Sequence, residues 1–324
     1  MEKNKLKFSK LLLMVLLLSV SLVVLQSCLD DDNDYKDQRK IDDKLILEYL
    51  NSNNINAEKA EEGYYYTIIN SNTSGEKVEE DDIVSVYYKM SLLNGKKIDS
   101  ITEDTGSGKP AKYKITGGSL IPVGLRFGST KMKEGEKFKF YIPSQLAYAD
   151  YYYEDIIPSN AIFIIENEIV KIETEEEQIE IEKDSIDNYI ADNSIENMDR
   201  TSSGLYYKKV SDGDGEKPVD LKTVKIQFVV EYLNGDVIDS TEDGTQFSFK
   251  IGSNSVIKGL EEGVKLMEKG EKAILIIPSH LAYDESLQIF PEMVREDLLE
   301  NKLISEKILP FSILKFEVEL IDII

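Results

Sequence analysis

The chain has 324 residues, 38 Lys and Arg against 61 Asp and Glu, a formal net charge of −23, 41% hydrophobic residues, one cysteine and one histidine. That length accommodates two domains with separate cores. The charge excludes recognition of nucleic acid or anionic lipid through a basic surface, and the lone cysteine excludes a disulfide within the chain.

At the N-terminus Lys3, Lys5, Lys7 and Lys10 precede an apolar run from Leu11 to Leu25, followed by Gln26, Ser27 and Cys28. The run is shorter than the roughly 20 residues that span a bilayer, so residues 1–27 read as an export signal rather than a permanent transmembrane helix. Leu25-Gln26-Ser27-Cys28 resembles the lipobox of bacterial lipoproteins, which makes Cys28 the lipidated first residue of the mature chain and its membrane anchor. Removing 1–27 takes away four lysines and one glutamate, a net charge of +3, and so turns −23 into −26. Asp30, Asp31, Asp32 and Asp34 open an acidic tether over 28–40. The tether is similar to the acidic export signal of Bacteroidetes lipoproteins, and the expected location is the outer membrane, facing the periplasm or the cell surface.

A helical spacing follows at Ile41, Leu45, Leu47, Tyr49 and Leu50, and it returns at Ile181, Ile186, Tyr189 and Ile190. The acidic stretch from Thr174 reads as a helical linker, 174–200, continuous with the second of these helices. After each helix come β-rich runs around Gly63 and Gly204, then at Ile83 to Leu93 and Val224 to Leu233. The text LNGKKIDS from Leu93 recurs as LNGDVIDS from Leu233, at the same offset that separates Ile41 from Ile181, and reads as strand, type I′ turn, strand. Next is a short helix with Leu260, Val264 and Met267 on one face, matched in the first copy by Leu125, Ser129 and Met132. Closing strands begin near Ala161 and Ile313. The repeat defines two units, 41–173 and 201–324.

The second unit carries, in order, SGLYYKKV, DGDGEKP, NGDVIDS, VIKGLEEGVKLMEKGEK from Val256, IPSHLAY from Ile277, and KFEVEL. These segments together resemble the FKBP-type peptidyl-prolyl cis-trans isomerase family. The first unit matches through NGKKIDS, MKEGEK from Met132, IPSQLAY from Ile142 and IPSNA from Ile157. The resemblance implies an α+β architecture of two FKBP-like domains, each a curled antiparallel sheet around a short helix, with an N-terminal helix per unit and a shallow apolar pocket. It implies Asp239 and Tyr283 as the polar pair of the second pocket, with Phe228, Ile238, Phe247, Val256, Ile257, Leu260, Ile308 and Phe316 as walls. In the first pocket the matching positions are Tyr88, Ile98, Asp99, Leu120, Ile121, Leu125, Tyr148 and Ile157. Leu260 stands where the floor is commonly tryptophan, Phe228 where tyrosine is common, and Ile238 where phenylalanine is usual. Ala111 and Ile165 stand where the first unit would have phenylalanine, so the first domain is the one expected to have lost catalysis.

The function so implied is a prolyl isomerase acting on proline-containing polypeptides among exported or surface proteins, mainly through the second domain. The obstacle is amide resonance, a barrier of about 18–20 kcal/mol, and no covalent bond breaks; no nucleophile, acid–base pair, metal or cofactor is called for. Two other readings stand beside it: a non-catalytic proline-peptide-binding or chaperone lipoprotein, and a structural envelope component such as a part of a gliding machinery. His280 is assigned no role. TGSGKP at Thr105 and SDGDGE at Ser211 lack residues that a phosphate or calcium loop needs and read as turns.

One departure separates the units. The stretch from Tyr283 to Ile308 is much longer than its counterpart from Tyr148 to Ile157, so 284–307 contains an insertion. Phe290, Pro291, Val294, Leu298, Leu299 and Leu303 in this insertion read as an amphipathic helix with proline at its start, either a chaperone flap or a helix packed on its own domain.

Overall fold

The structure, a computed structural model, describes residues 36–105, 108–154, 156–242, 244–305 and 307–324. The export signal and Cys28 lie outside these residues. Among the described residues no helix is long and apolar enough to cross a membrane.

The first helix, α1, spans 36–52. It starts earlier than the apolar spacing indicates, so residues 36–40 of the expected tether are helical; the Lys40–Asp37 ion pair at 2.9 Å and the Gln38–Asp42 hydrogen bond at 2.8 Å give this polar turn its own support. The first repeat continues with β1 (Glu58–Lys59), β2 (Tyr65–Asn70), β3 (Ile83–Leu92), β4 (Lys97–Ile101), β5 (Ala111–Lys114), β6 (Leu120–Ile121), α2 (Val123–Ser129), β7 (Lys137–Ile142) and β8 (Phe163–Glu173). The second runs through α3 (Glu175–Asp192), β9 (Asp199–Arg200), β10 (Tyr206–Ser211), β11 (Thr223–Tyr232), β12 (Val237–Ser240), β13 (Phe247–Lys250), α4 (Lys258–Leu266), β14 (Lys272–Ile277), β15 (Gln288–Ile289), α5 (Met293–Glu300) and β16 (Leu314–Ile323).

The repeat in the sequence becomes a repeat in topology. One sheet has the order β1-β2-β7-β8-β3-β4 with β5 on β3; the other has β12-β11-β16-β14-β10-β9 with β13 on β11. The fold is α+β, two FKBP-like domains built on two curled sheets. The inner face of the second sheet buries Val224, Ile226, Leu275, Ile277, Leu314 and Phe316 against Leu260, Val264 and Met267, the apolar face of α4. On the outer face Ile186 of α3 packs with Tyr206 and Ile276, and in the first repeat Ile46 and Leu50 of α1 pack with Tyr65, Tyr141 and Ile164. Thr174 starts α3 through a capping box: its hydroxyl accepts the Glu177 N–H at 3.2 Å and the Glu177 carboxylate accepts the Thr174 N–H at 3.0 Å. Linker and second-repeat helix are therefore one continuous element, and the end of the linker, Asp199–Arg200, is a strand of the second sheet.

The hairpin turns are not type I′. Gly95 alone has a left-handed φ, +88°, with Gly95 N–H bonded to Leu92 O and Leu92 N–H to Lys96 O, both at 2.9 Å. That is a type I turn closed by a glycine bulge. Asn94 Oδ1 already accepts the Lys96 N–H at 3.0 Å, an Asx turn that needs no positive φ at Asn94. The second hairpin repeats this with Gly235 at φ +92°.

Spatially the chain packs as two compact units. One comprises Ile69–Tyr88, Ser100–Lys137 and Asn167–Ile324; the other comprises Lys89–Asp99, Phe138–Glu166 and residues up to Ile68. Strands β5 and β6 of the first repeat thus share a unit with the whole second repeat.

Candidate active site

In the second repeat all ten positions named from the sequence line one cavity of about 410 Å³. Phe228 on β11 is its aromatic hub, 5.9 Å from the Phe247 ring at 82° and 5.8 Å from the Phe316 ring at 42°. Leu260, on the first turn of α4, and Val256 and Ile257, just before it, form the side facing the sheet. Ile238 and Asp239 come from β12. Asp239 Oδ1 accepts the Ser240 N–H at 2.8 Å, so the local-turn role coexists with its place in the lining. Ile308 is positioned by its carbonyl, which accepts the Ser286 hydroxyl at 2.7 Å, and by the next residue, whose N–H is bonded to the Tyr232 hydroxyl at 3.2 Å.

Val230, Ser255, Ser305, Lys307 and Leu314 also line the cavity. Sequence reasoning missed them: Val230 and Leu314 read as ordinary strand core. A larger, shallower groove of about 770 Å³ shares Ile238 and is walled by Val237, Leu299, Leu303 and Lys307.

Two glycines set the distance between α4 and β14. A Cβ at Gly259 would stand 2.3 Å from Ile277 Cγ2, and one at Gly263 would stand 2.4 Å from Leu275 Cδ1. Only glycine lets α4 lie this close to β14.

Tyr283 follows a short 3₁₀ turn, Ser279–Leu281, held by α3. Glu182 of α3 accepts the Ser279 N–H at 2.7 Å and the Ser279 hydroxyl at 2.6 Å, and Gln178 Nε2 donates to the same carboxylate at 2.7 Å. In the first repeat Asp42 of α1 accepts the Ser144 N–H at 2.8 Å and its hydroxyl at 2.6 Å. Asp42 and Glu182 stand at the same offset as Asn94 and Asn234 of the hairpins, so the repeat itself was the signal that could have found this pair. His280, given no role, has Nε2 3.0 Å from Ser203 O, a loop contact.

In the first repeat Ile98 and Asp99 sit on β4, Leu120 and Ile121 form β6, Leu125 is in α2, Tyr88 is on β3, Tyr148 follows the 3₁₀ turn Ser144–Leu146, and Ile157 pairs with Tyr153. Asp99 and Ile121 are half-buried and the others buried; Tyr148 is 9% exposed where its counterpart Tyr283 is 42%. Tyr113 of β5 is fully buried, its hydroxyl 2.8 Å from Ser129 Oγ and accepting from Asn167 Nδ2 at 3.1 Å. Burial pushes its phenol up to about 12, with those hydrogen bonds offsetting part of the effect.

The family profile of the FKBP-type peptidyl-prolyl cis-trans isomerase matches residues 74–170 and 214–321. The chain belongs to this family. Among curated relatives, the FKBP-type peptidyl-prolyl cis-trans isomerase FkpA of Aeromonas hydrophila is 35% identical over 128 residues, 39% of this chain and 45% of the relative. The chloroplastic FKBP16-3 of Arabidopsis thaliana is 39% identical over 95 residues, 29% of this chain and 43% of the relative. The chain spans less than half the length of these relatives. Among solved structures, FkpA from Escherichia coli aligns at 31% identity with a TM-score of 0.33, covering 45% of this chain and 63% of the other. The three FKBP domains of wheat FKBP73 align at 21% identity with a TM-score of 0.32, covering 82% of this chain and 96% of the other. Within this FKBP-type chain the two repeats differ at the tyrosine after the 3₁₀ turn: Tyr283 is exposed beside the second cavity, and Tyr148 is buried.

Proposed function

We propose that the chain is a peptidyl-prolyl cis-trans isomerase whose turnover resides in the second repeat, acting on proline-containing segments of exported or surface proteins. The observation that carries this reading is the open cavity in which Phe228, Phe247 and Phe316 stand opposite Ile257 and Leu260, with Asp239 and Tyr283 in the lining. Twisting an X-Pro bond removes amide resonance and makes the carbonyl less dipolar, so an apolar cavity favours the twisted form over the planar, well-solvated ground state. Tyr283, more than a third exposed, can present its hydroxyl to a substrate carbonyl; Asp239 holds the polar edge. The lysine-rich, apolar leader over 1–27 and the lipobox-like text before Cys28 support a location at the cell envelope, on the outer membrane, where slow X-Pro steps of tens of seconds limit folding.

The first repeat is assigned no turnover. Ala111 and Ile165 remove two aromatic positions, and Tyr148 lacks the exposure that Tyr283 has.

The test is cis-to-trans relaxation of a proline peptide catalysed by the full chain. Acceleration lost in Asp239→Ala and reduced at least tenfold in Tyr283→Phe is the expected result. Full acceleration in both variants, or none in the parent chain, overturns the assignment.

A further inference from the structure

The insertion between Tyr283 and Ile308 is not arranged as the sequence leads one to expect. Its helix α5 begins at Met293, after Glu292, so Pro291 precedes the helix rather than starting it. Ahead of that helix β15 adds itself in parallel to β6 of the first repeat, Gln288 beside Leu120 and Ile289 beside Ile121. The physical reason is the edge of β6, which pairs with no other strand among the described residues and which the extended Gln288–Phe290 segment satisfies. Gln288 N–H bonds Ser119 O at 2.6 Å, and Phe290 N–H bonds Ile121 O at 2.9 Å.

Side chains complete the contact. Gln288 is fully buried; its Oε1 accepts the Lys114 N–H at 2.6 Å, and its Nε2 donates to Lys114 O at 3.0 Å and to Ser119 Oγ at 3.2 Å. The Phe290 ring meets Tyr88 and Tyr113 edge-on, both at 5.5 Å between centroids. Pro291 is buried. Lys114 Nζ reaches Glu175 at 2.6 Å, Glu285 at 3.9 Å and Asp284 at 4.0 Å, which ties the start of the insertion to β5. All these residues belong to one compact unit.

Generic packing of two surfaces does not require a buried glutamine whose Oε1 and Nε2 are both spent on a neighbour's main chain. Main-chain strand addition with side chains entering fixed places is the pattern of peptide recognition. Three of the residues it engages, Tyr88, Leu120 and Ile121, are first-repeat pocket positions. We propose that the first repeat is a docking site for an extended apolar segment with an aromatic residue directly before proline, and that its resident ligand is Gln288–Pro291 of this same chain. The occupied site excludes external proline peptides from the first repeat and anchors the insertion that borders the second cavity. This inference rests on reading those positions as a pocket and is independent of turnover in the second repeat.

Amide hydrogen exchange on the full, unmodified chain tests it first. The Gln288 and Phe290 amides are expected to be protected; exchange as fast as in an open loop overturns the proposal. In Phe290→Ala, protection over 286–291 is expected to be lost and that over 112–121 to fall, with 272–277 unchanged. A labelled peptide of residues 286–294 is the probe for the vacated site. It is expected to show one more binding site per chain on Phe290→Ala than on the parent, and to lose it when Tyr88→Ala is added. Equal stoichiometry on parent and Phe290→Ala, or lost protection without added binding, makes the segment an ordinary packing contact and overturns the docking role. Neither readout involves isomerisation, so a failure of the enzymatic reading leaves both interpretable.

Discussion

The side-chain amide of Gln288 takes the place of a neighbouring strand at Lys114, accepting its N–H at 2.6 Å and donating to its carbonyl at 3.0 Å. A residue with a polar side chain is buried here because both halves of its amide are matched to main-chain groups of β5, a strand that among the described residues pairs with β3 alone.

Gln288→Ala therefore strips a buried donor and a buried acceptor at once. The expected cost is about 2–3 kcal/mol, since each unsatisfied buried group costs roughly 1–3 kcal/mol less any entry of water. Gln288→Leu preserves shape without the bonds and should be no better. Denaturant unfolding of the full chain measures this; a loss under about 0.5 kcal/mol would mean that water replaces the amide.

The carboxylate of Glu182 makes the corresponding contact on the approach to the second cavity. With two bonds from Ser279 at 2.7 and 2.6 Å, it fixes the turn from which Tyr283 projects. Hydrogen bonds to a charged group contribute about 1.5–3 kcal/mol, so Glu182→Ala is expected to destabilise by about that amount. It should also raise KM or lower kcat by moving Tyr283, although Glu182 touches no substrate. Asp42→Ala should cost a similar stability and leave turnover unaltered, because its turn, Ser144–Leu146, belongs to the first repeat, to which no turnover is assigned. Equal kinetic effects of the two substitutions would refute the division of labour.

What the sequence disclosed and what it withheld follow from the range of the signals. The constant offset between copies, Leu93 to Leu233 and Tyr49 to Tyr189 alike, and the period-two runs are patterns written along the chain, and the two sheets reproduce them strand for strand. The cavity walls are another matter: Leu260 and Phe316 are nearly as buried as the core, and periodicity alone makes them core; only the family resemblance singles them out. Strand β15 has two residues, too few for any period, and its partner lies far back in the chain. Gln288 sits between Leu287 and Ile289 with nothing in its neighbours to mark it as buried, because the groups that bury it are the main chain of β5. The hairpin turns escape a sequence reading for a related reason, as Asn-Gly fits two turn types and the glycine bulge is chosen by the strand register.

Alkaline pH should unfasten the same region through Tyr113. Burial, partly offset by its hydrogen bonds to Ser129 and Asn167, raises its phenol to about 12 from the ordinary 10.0. The neutral phenol is the form the fold holds, so this contribution is fully present below pH 10 and is lost as pH rises towards about 12. The slope from one such group is at most about 1.4 kcal/mol per pH unit. Tyr113→Phe removes the titration: stability at neutral pH falls because Asn167 loses an acceptor, yet the decline above pH 10 becomes shallower. Denaturant midpoints across this window compare the two chains, and parallel curves would place the alkaline sensitivity in other buried tyrosines such as Tyr64 and Tyr206, both also raised chiefly by burial.

The last prediction opposes two effects of known size where α4 packs on β14. Gly263→Ala should gain about 1 kcal/mol of helix propensity in α4, as alanine loses less conformational freedom than glycine. Against this, the added methyl would stand 2.4 Å from Leu275 Cδ1 and 2.8 Å from Cδ2, and Leu275 is fully buried. Overpacking of this kind costs about 1–3 kcal/mol, so the net result is a loss of about 1 kcal/mol. Gly259→Ala meets Ile277 Cγ2 at 2.3 Å, and a β-branched side chain yields less than leucine because its χ1 is restricted. It should be the more damaging of the two, and it should weaken turnover as well, since the helix it displaces carries Leu260 and follows Ile257. Thermal unfolding and isomerase assays on both variants decide the matter: a stabilised Gly263→Ala would show that the sheet gives way and that propensity, not close approach, governs this helix. Leu275→Val combined with Gly263→Ala should then recover part of the loss if the clash is its cause, because it withdraws the methyl group that the new Cβ meets.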